Sequence, residues 1–228
     1  MTKKETFSQM ILNNSYFLKA YNKIVHPIFL SFFAHKKMNF VVVYHDLLAL
    51  DPESQTSKKS IPENILDLAC GTGWYGRKLR LEHKEQGTCI YAVDIATNTL
   101  KIAQKEKIKY GFGDNFQIIN WNAEKLDLFE DNSFHEIWIC GALHQMPHVD
   151  LVLNEITRLL DQDGKLFCQT FVKDEQAHSL IIRLCEKLGH HFFTKEELVI
   201  KLRQRNLKLI NYSRSGLVAL FYAQRTAD

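Results

Sequence analysis

Short apolar runs alternate with amphipathic segments along most of the chain after residue 63. A short apolar run predicts a strand, whereas apolar residues three or four positions apart predict a helix. The pattern predicts strands at 64–70, 89–94, 116–121, 134–140 and 165–172, and helices at 74–84, 97–109, 150–160, 176–189 and 194–205. Strict alternation of this kind is typical of a parallel sheet with helices on both faces, which binds ligands at the carboxyl ends of its strands.

The two ends of the chain depart from this alternation. Residues 6–50 are dense in aromatic side chains and predict two or three helices, with a break near Pro27 because helices disfavour the residue before a proline. Residues 51–62 contain two prolines and almost no apolar side chains, which predicts a surface linker. At the other end, the apolar runs 207–212 and 217–223 predict a hairpin of two strands.

The composition fits one α/β domain and excludes several kinds of protein. The chain has 228 residues, of which 46% are hydrophobic, and a net charge of only +3, so the total charge implies no polyanionic partner. The five cysteines form no Cys-x-x-Cys pair, and Pro147 interrupts the one pair of histidines at helical spacing, His144 and His148, so we expect no metal site. No run is long enough to span a bilayer and no hydrophobic signal core follows Met1, so we expect a cytoplasmic protein with reduced thiols.

A glycine-containing turn follows the first predicted strand. The stretch Ile65–Gly76 reads ILDLACGTGWYG, and its glycines Gly71 and Gly73 allow a positive φ and a close approach of a ligand to the backbone. The helix that follows places free N–H groups at the turn. Such a turn favours either a nucleotide pyrophosphate or the amino-acid end of S-adenosylmethionine. The spacing Gly71-x-Gly73-x-x-Gly76 alone also fits a nicotinamide site.

Two carboxylates near this turn narrow the choice of ligand. Asp67 lies inside the apolar strand, where a buried carboxylate needs a donor or a cation. It would repel a phosphate and hold the ammonium of S-adenosylmethionine, directly or through water; the alternative is that it caps a loop amide. Asp94 follows the second strand, where a carboxylate accepts hydrogen bonds from both ribose hydroxyls of either cofactor.

These residues, with three later segments, carry a resemblance to a known family. The chain resembles the class I S-adenosylmethionine-dependent methyltransferases, in the branch of the ubiquinone/menaquinone-biosynthesis enzymes. The matching stretches are Asp67–Gly73, Asp94, Trp121–Glu124, Ile139–His144 and Leu160–Leu166. They occur in the family's order and at its spacing, from about residue 64 to the C-terminus.

The resemblance implies the overall architecture. We expect a doubly wound α/β fold with a mostly parallel, seven-stranded, Rossmann-like sheet and an antiparallel C-terminal strand. Residues 1–50 would form a helical cap over the active site, 51–62 a linker, and 63–228 the S-adenosylmethionine-binding domain.

The implied cofactor site has ten residues. They are Tyr21, Asp67, Ala69, Gly71, Gly73, Asp94, Ile95, Asn122, Ala123 and Cys140. Asn122 and the Ala123 N–H would bind adenine, and Ile95 would pack on the adenine face. Relatives usually carry aspartate where this chain has Asn122, and a neutral hydrogen bond contributes about 1 kcal/mol against about 1.5–3 for a charged one. Cys140 would border the methionine part, and Tyr21 would lie either near its carboxylate or in the core.

His144, after the fourth strand, is the candidate catalytic residue. One interpretation is that it removes the proton of the methyl acceptor, and the other is that it only lines or supports the pocket. Methyl transfer from a sulfonium needs alignment and exclusion of water more than a general acid. Both interpretations therefore remain open.

The acceptor is expected to be a small, apolar or aromatic molecule, given Tyr21, Phe29, Phe32 and Phe33. The chain lacks the tetrapeptide of nucleobase amino-methyltransferases and the Pro-Cys of RNA cytosine C5 enzymes, so we expect no nucleic acid partner.

Two alternatives to the enzyme are a non-catalytic methyltransferase-like module and a nicotinamide-dependent oxidoreductase. A weak contact of the N-terminal helices with a membrane surface is a further alternative, and the sequence does not indicate an oligomeric state.

Overall fold

A seven-stranded sheet organises the protein. The computed structural model describes residues 26–53, 62–84, 87–174 and 179–226. The strands are β1 (Asn64–Leu68), β2 (Cys89–Asp94), β3 (Phe116–Asn120), β4 (Phe134–Cys140), β5 (Leu160–Phe171), β6 (Leu207–Ser215) and β7 (Val218–Arg225). They lie in the order β3-β2-β1-β4-β5-β7-β6, with β7 antiparallel to both of its neighbours. The predicted Rossmann-like fold with an antiparallel C-terminal strand is confirmed.

The helices cover the two faces of this sheet. They are α1 (His26–Ala34), α2 (Phe40–Leu50), α3 (Trp74–Glu82), α4 (Thr97–Lys109), α5 (Val149–Leu159), α6 (Leu180–Lys187) and α7 (Lys195–Arg203), with a 3-10 turn at Leu143–Gln145. Side chains of β1 alternate between the faces: Ile65 packs with α2 and α3, whereas Leu66 and Leu68 pack with α5 and α7. No helix in the described ranges has the length and apolar character needed to cross a membrane.

Strands β5 and β6 extend furthest beyond the ranges that the sequence pattern predicts. β5 starts at Leu160 and not at 165, because Phe134 pairs with Leu160 while Glu136 pairs with Lys165, and the extra residues of β5 form a bulge. β6 continues to Ser215, so the hairpin turn is only two residues, Gly216 and Leu217. The turn packs against α1, where the Leu217 N–H donates to the Phe33 carbonyl at 2.8 Å. These strands carry polar residues, so hydrophobic patterning alone misses their ends.

Helix α1 begins one residue before a proline. Pro27 is the second residue of α1, in the first helical turn, where a missing N–H costs little. A helix that begins at His26 is consistent with the break predicted near Pro27, and the residues before His26 lie outside the described ones. The Asn39 side chain caps α2 by accepting from the Val42 N–H at 3.0 Å. The predicted site residue Tyr21 lies outside the described residues.

An ion pair fixes the end of α2 to the sheet. Asp51 is 2% exposed, and its Oδ2 atom accepts a hydrogen bond from Lys165 Nζ of β5 at 3.0 Å. Glu53 accepts from the same Nζ atom at 2.8 Å. The predicted surface linker therefore begins with a buried carboxylate. Removal of one partner of such a pair costs about 3–5 kcal/mol because the other charge stays buried.

Candidate functional site

An open cavity lies at the carboxyl ends of β1, β2 and β4, as expected for a parallel sheet. It has a volume of about 150 Å³. It is lined by Ala69, Cys70, Gly71, Thr72, Trp74 and Tyr75 after β1, by Asp94, Ile95, Ala96 and Thr99 after β2, by Cys140, Gly141, Ala142, Gln145 and Met146 after β4, and by His26 and Phe40 of the N-terminal helices. Of the ten predicted cofactor residues, Ala69, Gly71, Asp94, Ile95 and Cys140 line it.

The turn after β1 forms one wall of the cavity. Ala69, Gly71 and Gly73 have φ values of 55°, 56° and 70°, a conformation that glycine adopts without a steric cost. A Cβ atom on Gly71 would meet no protein atom within 4 Å, whereas one on Gly73 would lie 3.2 Å from the Cβ of Ala103 in α4. Gly71 thus leaves a cradle for a ligand, and Gly73 allows α3 and α4 to pack closely.

Asp94 joins the turns that follow β1 and β2. Its Oδ2 atom accepts from the Gly71 N–H and its Oδ1 atom from the Ala96 N–H, both at 2.7 Å. Burial raises the pKa of this carboxyl above its ordinary value, although the backbone hydrogen bonds oppose the change. A carboxylate offers about four acceptor sites. The carboxylate can therefore also accept from ligand hydroxyls in the cavity.

A second residue supports the same loop. Asn120, the last residue of β3, donates from Nδ2 to the carbonyl oxygens of Asp94 and Ile95 at 2.9 and 3.0 Å. The sequence analysis missed this role, since nothing in the chain near Asn120 indicates that its side chain reaches the neighbouring strand. Ile95 itself is 48% exposed and lines the cavity, where it can pack on a planar ligand.

Asp67 lies beneath the cavity and not in its wall. It is 1% exposed, and its Oδ2 atom accepts from the Gly76 N–H in the first turn of α3 at 2.7 Å. This contact is the loop-amide alternative that the sequence analysis left open. Burial raises the pKa of Asp67 to about 7. Asp67 therefore has the Gly76 backbone amide as its direct partner, and its contact with a cofactor stays a prediction.

Packing explains the third glycine of the motif. A Cβ atom on Gly76 would lie 2.9 Å from Asp67 Oδ2 and 3.0 Å from the Phe116 ring. Both contacts are closer than a real Cβ tolerates without a shift of its neighbours. Gly76 is needed so that α3 can approach β1 and donate to Asp67, and it does not line the cavity.

The predicted adenine ligands do not line the cavity. Asn122 Oδ1 accepts from the Glu124 N–H at 3.1 Å, which shapes the turn after β3. Ala123 is 8% exposed. Their contacts with adenine stay predictions, because neither residue is among those that line the cavity in this structure.

The segment after β4 forms the opposite wall. Gly141 has a φ of 75°, and its carbonyl accepts from Gln145 Nε2 at 2.7 Å. Cys140 lies beside it, and burial raises the pKa of its thiol well above the ordinary value, so the thiol is neutral. This wall thus offers a backbone bend and neutral side chains to a ligand in the cavity.

His144 is buried next to the cavity and does not line it. It is 2% exposed, and its ring lies 4.0 Å from that of Phe171 and 5.5 Å from that of His190, measured between centroids. Its Nδ1 atom has no hydrogen-bond partner among the described residues. Burial lowers the pKa of His144 well below the ordinary value. The catalytic role of His144 stays a prediction.

An aromatic wall closes the remaining side, and the sequence analysis did not single it out. His26 stacks on Phe40, with centroids 4.1 Å apart and planes within 2°, and Phe40 stacks on Trp74 at 5.4 Å. Burial lowers the pKa of His26 to about 4, so its imidazole is neutral at physiological pH. The aromatic density of residues 6–50 was the available signal, but it does not specify which rings reach the cavity.

Comparison with known proteins agrees with this geometry. A family model described as "Methyltransferase domain" matches residues 59–210. A ubiquinone/menaquinone biosynthesis C-methyltransferase UbiE from Brucella abortus (strain S19) is 34% identical over 110 residues, which are 48% of this chain and 40% of the relative. The match thus spans less than half the length of that curated relative.

Solved structures share the fold at low identity. A 1,6-didemethyltoxoflavin-N1-methyltransferase from Burkholderia thailandensis, solved with 1,6-didemethyltoxoflavin and S-adenosylhomocysteine, has a TM-score of 0.65 and 18% identity, over 100% of this chain and 93% of its own. The [4+2]-cyclase SpnF has the same TM-score and identity, over 81% of this chain and 80% of its own. The family match, the order of the strands and the cavity lining at Gly71 and Asp94 all indicate the same family. The chain belongs to the class I S-adenosylmethionine-dependent methyltransferases and resembles their ubiquinone/menaquinone-biosynthesis branch.

Proposed function

We propose that the protein transfers a methyl group from S-adenosylmethionine to a small, apolar or aromatic acceptor. The observation that carries this proposal is the composition of the cavity walls. One wall offers the Gly71 cradle and the Asp94 carboxylate, which suit a nucleoside with an amino-acid tail. The aromatic wall contains the stacked rings of Phe40 and Trp74, which suit a flat apolar acceptor.

The protein's contribution is alignment and exclusion of water. When bound, S-adenosylmethionine supplies an electrophilic methyl group on a sulfonium. The turn at Gly71 and the carboxylate of Asp94 would fix the nucleoside, and the segment at Cys140 and Gly141 would border the methionine part. Alignment of two reactants can lower a barrier by about 7–11 kcal/mol in favourable cases. No acid is required for the leaving sulfide.

The proton of the acceptor is the remaining chemical question. His26 lines the cavity as a neutral imidazole, whereas His144 lies behind Phe171. A base with a pKa of about 4 is weak. His26 is therefore better suited to form a hydrogen bond with the methyl acceptor than to remove a proton from it. We therefore propose an acceptor that ionises easily, such as an enol or a phenol, and binds as its anion.

The first test is binding followed by turnover. Titration calorimetry should show micromolar binding of S-adenosylhomocysteine and no comparable binding of NADH. Incubation with methyl-tritiated S-adenosylmethionine and a panel of phenols and hydroquinones should then give labelled, solvent-extractable product. Turnover has to be measured directly, since the cyclase shows that the fold alone does not imply methyl transfer. Binding without any turnover would favour the non-catalytic module, and tight NADH binding would favour an oxidoreductase.

Gly71→Ala tests the cradle, with Gly111→Ala as its matched control. Both glycines have a positive φ, 56° and 65°, and a Cβ on either would meet no protein atom within 4 Å. Each variant should lose about 1–2 kcal/mol of stability from the left-handed conformation. Only Gly71 lines the cavity, so only Gly71→Ala should weaken S-adenosylhomocysteine binding, by about tenfold or more. Equal affinities of the two variants in calorimetry would contradict a cofactor site at Gly71.

A further inference from the structure

An exposed apolar surface lies on two short helices beside the cavity. We call it the apolar ridge, and it consists of Ile28, Phe29 and Phe32 of α1 with Leu180, Ile181 and Leu184 of α6. Four of these side chains are more than half exposed: Leu180 at 80%, Ile28 at 65%, Leu184 at 60% and Phe32 at 58%. Single exposed apolar residues are ordinary, but six of them on two helices indicate an interaction surface.

Helix α1 and the loop after α6 contact the same aromatic side chain, since the rings of Phe29 in α1 and His190 after α6 lie 6.2 and 6.4 Å from that of Phe171. Phe171 and Phe192 stack with centroids 5.5 Å apart. Phe33 of α1 lies 5.0 Å from Phe171 and 6.3 Å from Phe192, and Ile182 and Cys185 of α6 are buried in the same core. Because α1 and the loop after α6 both contact Phe171, and both helices bury their inner faces in this core, their outer faces lie near each other on the same side of the sheet.

The charges around the apolar ridge are mostly positive. Lys36 and Lys37 follow α1 after His35 and are exposed, and Lys36 makes a long, exposed ion pair of 3.9 Å with Asp46 of α2. Helix α6 adds the exposed Arg183 and Lys187. Its one acidic residue, Glu186, is neutralised by Lys173 at 2.6 Å. An apolar surface bordered by basic side chains is complementary to an anionic lipid bilayer, which has an apolar interior and negatively charged headgroups.

We propose that the apolar ridge docks on the surface of an anionic phospholipid bilayer. The apolar side chains would enter the boundary between headgroups and acyl chains, and the lysines and arginine would contact lipid phosphates. A helix of nine residues is only about 14 Å long, against a hydrocarbon core of about 30 Å, so the ridge lies on the bilayer and does not span it.

Docking in this orientation would bring the cavity to the bilayer. His26, the first residue of α1, lines the cavity, and Phe171 ends β5 at the same carboxyl edge of the sheet. The mouth of the cavity and the ridge therefore share one edge of the molecule. The inference goes beyond methyl transfer, since membrane docking requires neither the cofactor nor the acceptor.

Vesicle flotation of the full chain tests the proposal. Wild-type protein should float with vesicles of equal parts phosphatidylcholine and phosphatidylglycerol. The ridge variant Ile28→Glu with Leu184→Glu should reduce the bound-to-free ratio by about tenfold or more, since it removes apolar contacts and adds charge. Lys36→Gln with Lys37→Gln should weaken binding by about fivefold per lysine on anionic vesicles and not on pure phosphatidylcholine.

The matched control carries two glutamate substitutions at exposed apolar positions outside the ridge. Ile108 of α4 and Ile200 of α7 are 70% and 56% exposed, and their helices pack on the strands at the two ends of the sheet. Ile108→Glu with Ile200→Glu should leave flotation unchanged, and circular dichroism should show that both double variants fold. Absence of wild-type flotation, or an equal loss in both double variants, would overturn the proposal. Light scattering that shows a wild-type dimer and a monomeric ridge variant would also overturn it, because a second chain would then cover the ridge.

Discussion

Asp94→Ala should weaken the binding of S-adenosylhomocysteine by about a hundredfold or more. The substitution removes the acceptors proposed for the ribose and also the two 2.7 Å bonds that hold the Gly71 and Ala96 amides. A hydrogen bond to a charged group contributes about 1.5–3 kcal/mol, and at least two are lost. Titration calorimetry measures the change in affinity, and thermal unfolding establishes that the variant folds.

The matched control for this prediction is Asn120→Ala. Asn120 holds the carbonyl oxygens of Asp94 and Ile95, so its loss disturbs the same loop and leaves the carboxylate in place. Its removal costs two neutral hydrogen bonds of about 1 kcal/mol each, and we expect a decrease in affinity of about tenfold. If the two variants bind equally weakly, Asp94 acts by shaping the loop and not by contacting the cofactor.

Asp67→Asn should change how the stability of the protein depends on pH. Burial raises the pKa of Asp67 to about 7 from its ordinary value of 3.8, so the folded state holds a proton that the unfolded state releases. Stability from this group is therefore greatest below about pH 4 and is lost as the pH rises through about 7. The full loss corresponds to about 4 kcal/mol. Asparagine stays neutral and can still accept from the Gly76 N–H.

The measurement is urea unfolding of both proteins between pH 4.5 and pH 8. Toward pH 8 the free energy of unfolding of the variant should exceed that of the wild type by several kcal/mol. Asp114→Asn, at an exposed position, serves as a control for the loss of any carboxylate. A pH-independent difference between the wild type and Asp67→Asn would contradict this prediction.

The affinity for S-adenosylhomocysteine at pH 8 distinguishes an electrostatic role of Asp67 in cofactor binding from a purely structural one. If the charge of Asp67 attracts the ammonium of the ligand, Asp67→Asn should bind S-adenosylhomocysteine more weakly than the wild type. If the carboxylate is purely structural, the two proteins should bind it with equal affinity.

The turn after β1 and the carboxylate at the end of β2 could be predicted because their signals are local. Gly71 and Asp94 each stand directly after an apolar strand, and parallel strands bring such positions together at one edge. The partner of Asp67 was harder to choose. The Gly76 amide and a ligand ammonium both satisfy a buried carboxylate, and only the position of α3 relative to β1 distinguishes them.

The histidines show where the sequence stops being informative. His144 follows a strand end and therefore seemed to face the ligand, yet the 3-10 turn at Leu143–Gln145 directs its ring against Phe171. His26 precedes a proline in a region without motifs, and the packing of α1 beside Phe40 brings it to the cavity. Such placements depend on how helices cross the sheet, which hydrophobic patterning does not specify.

The bond between Asp51 and Lys165 joins positions 114 residues apart, and it has a consequence for how these enzymes can diversify. The far end of α2 is anchored by opposite charges inside the protein, whereas the rings that face the cavity, such as Phe40, belong to the near end. Under the proposed function, exchange of those rings would change the acceptor preference while the anchor keeps the helix in register. The same scaffold can thus accommodate different acceptors without a change in how its helical and sheet layers are joined.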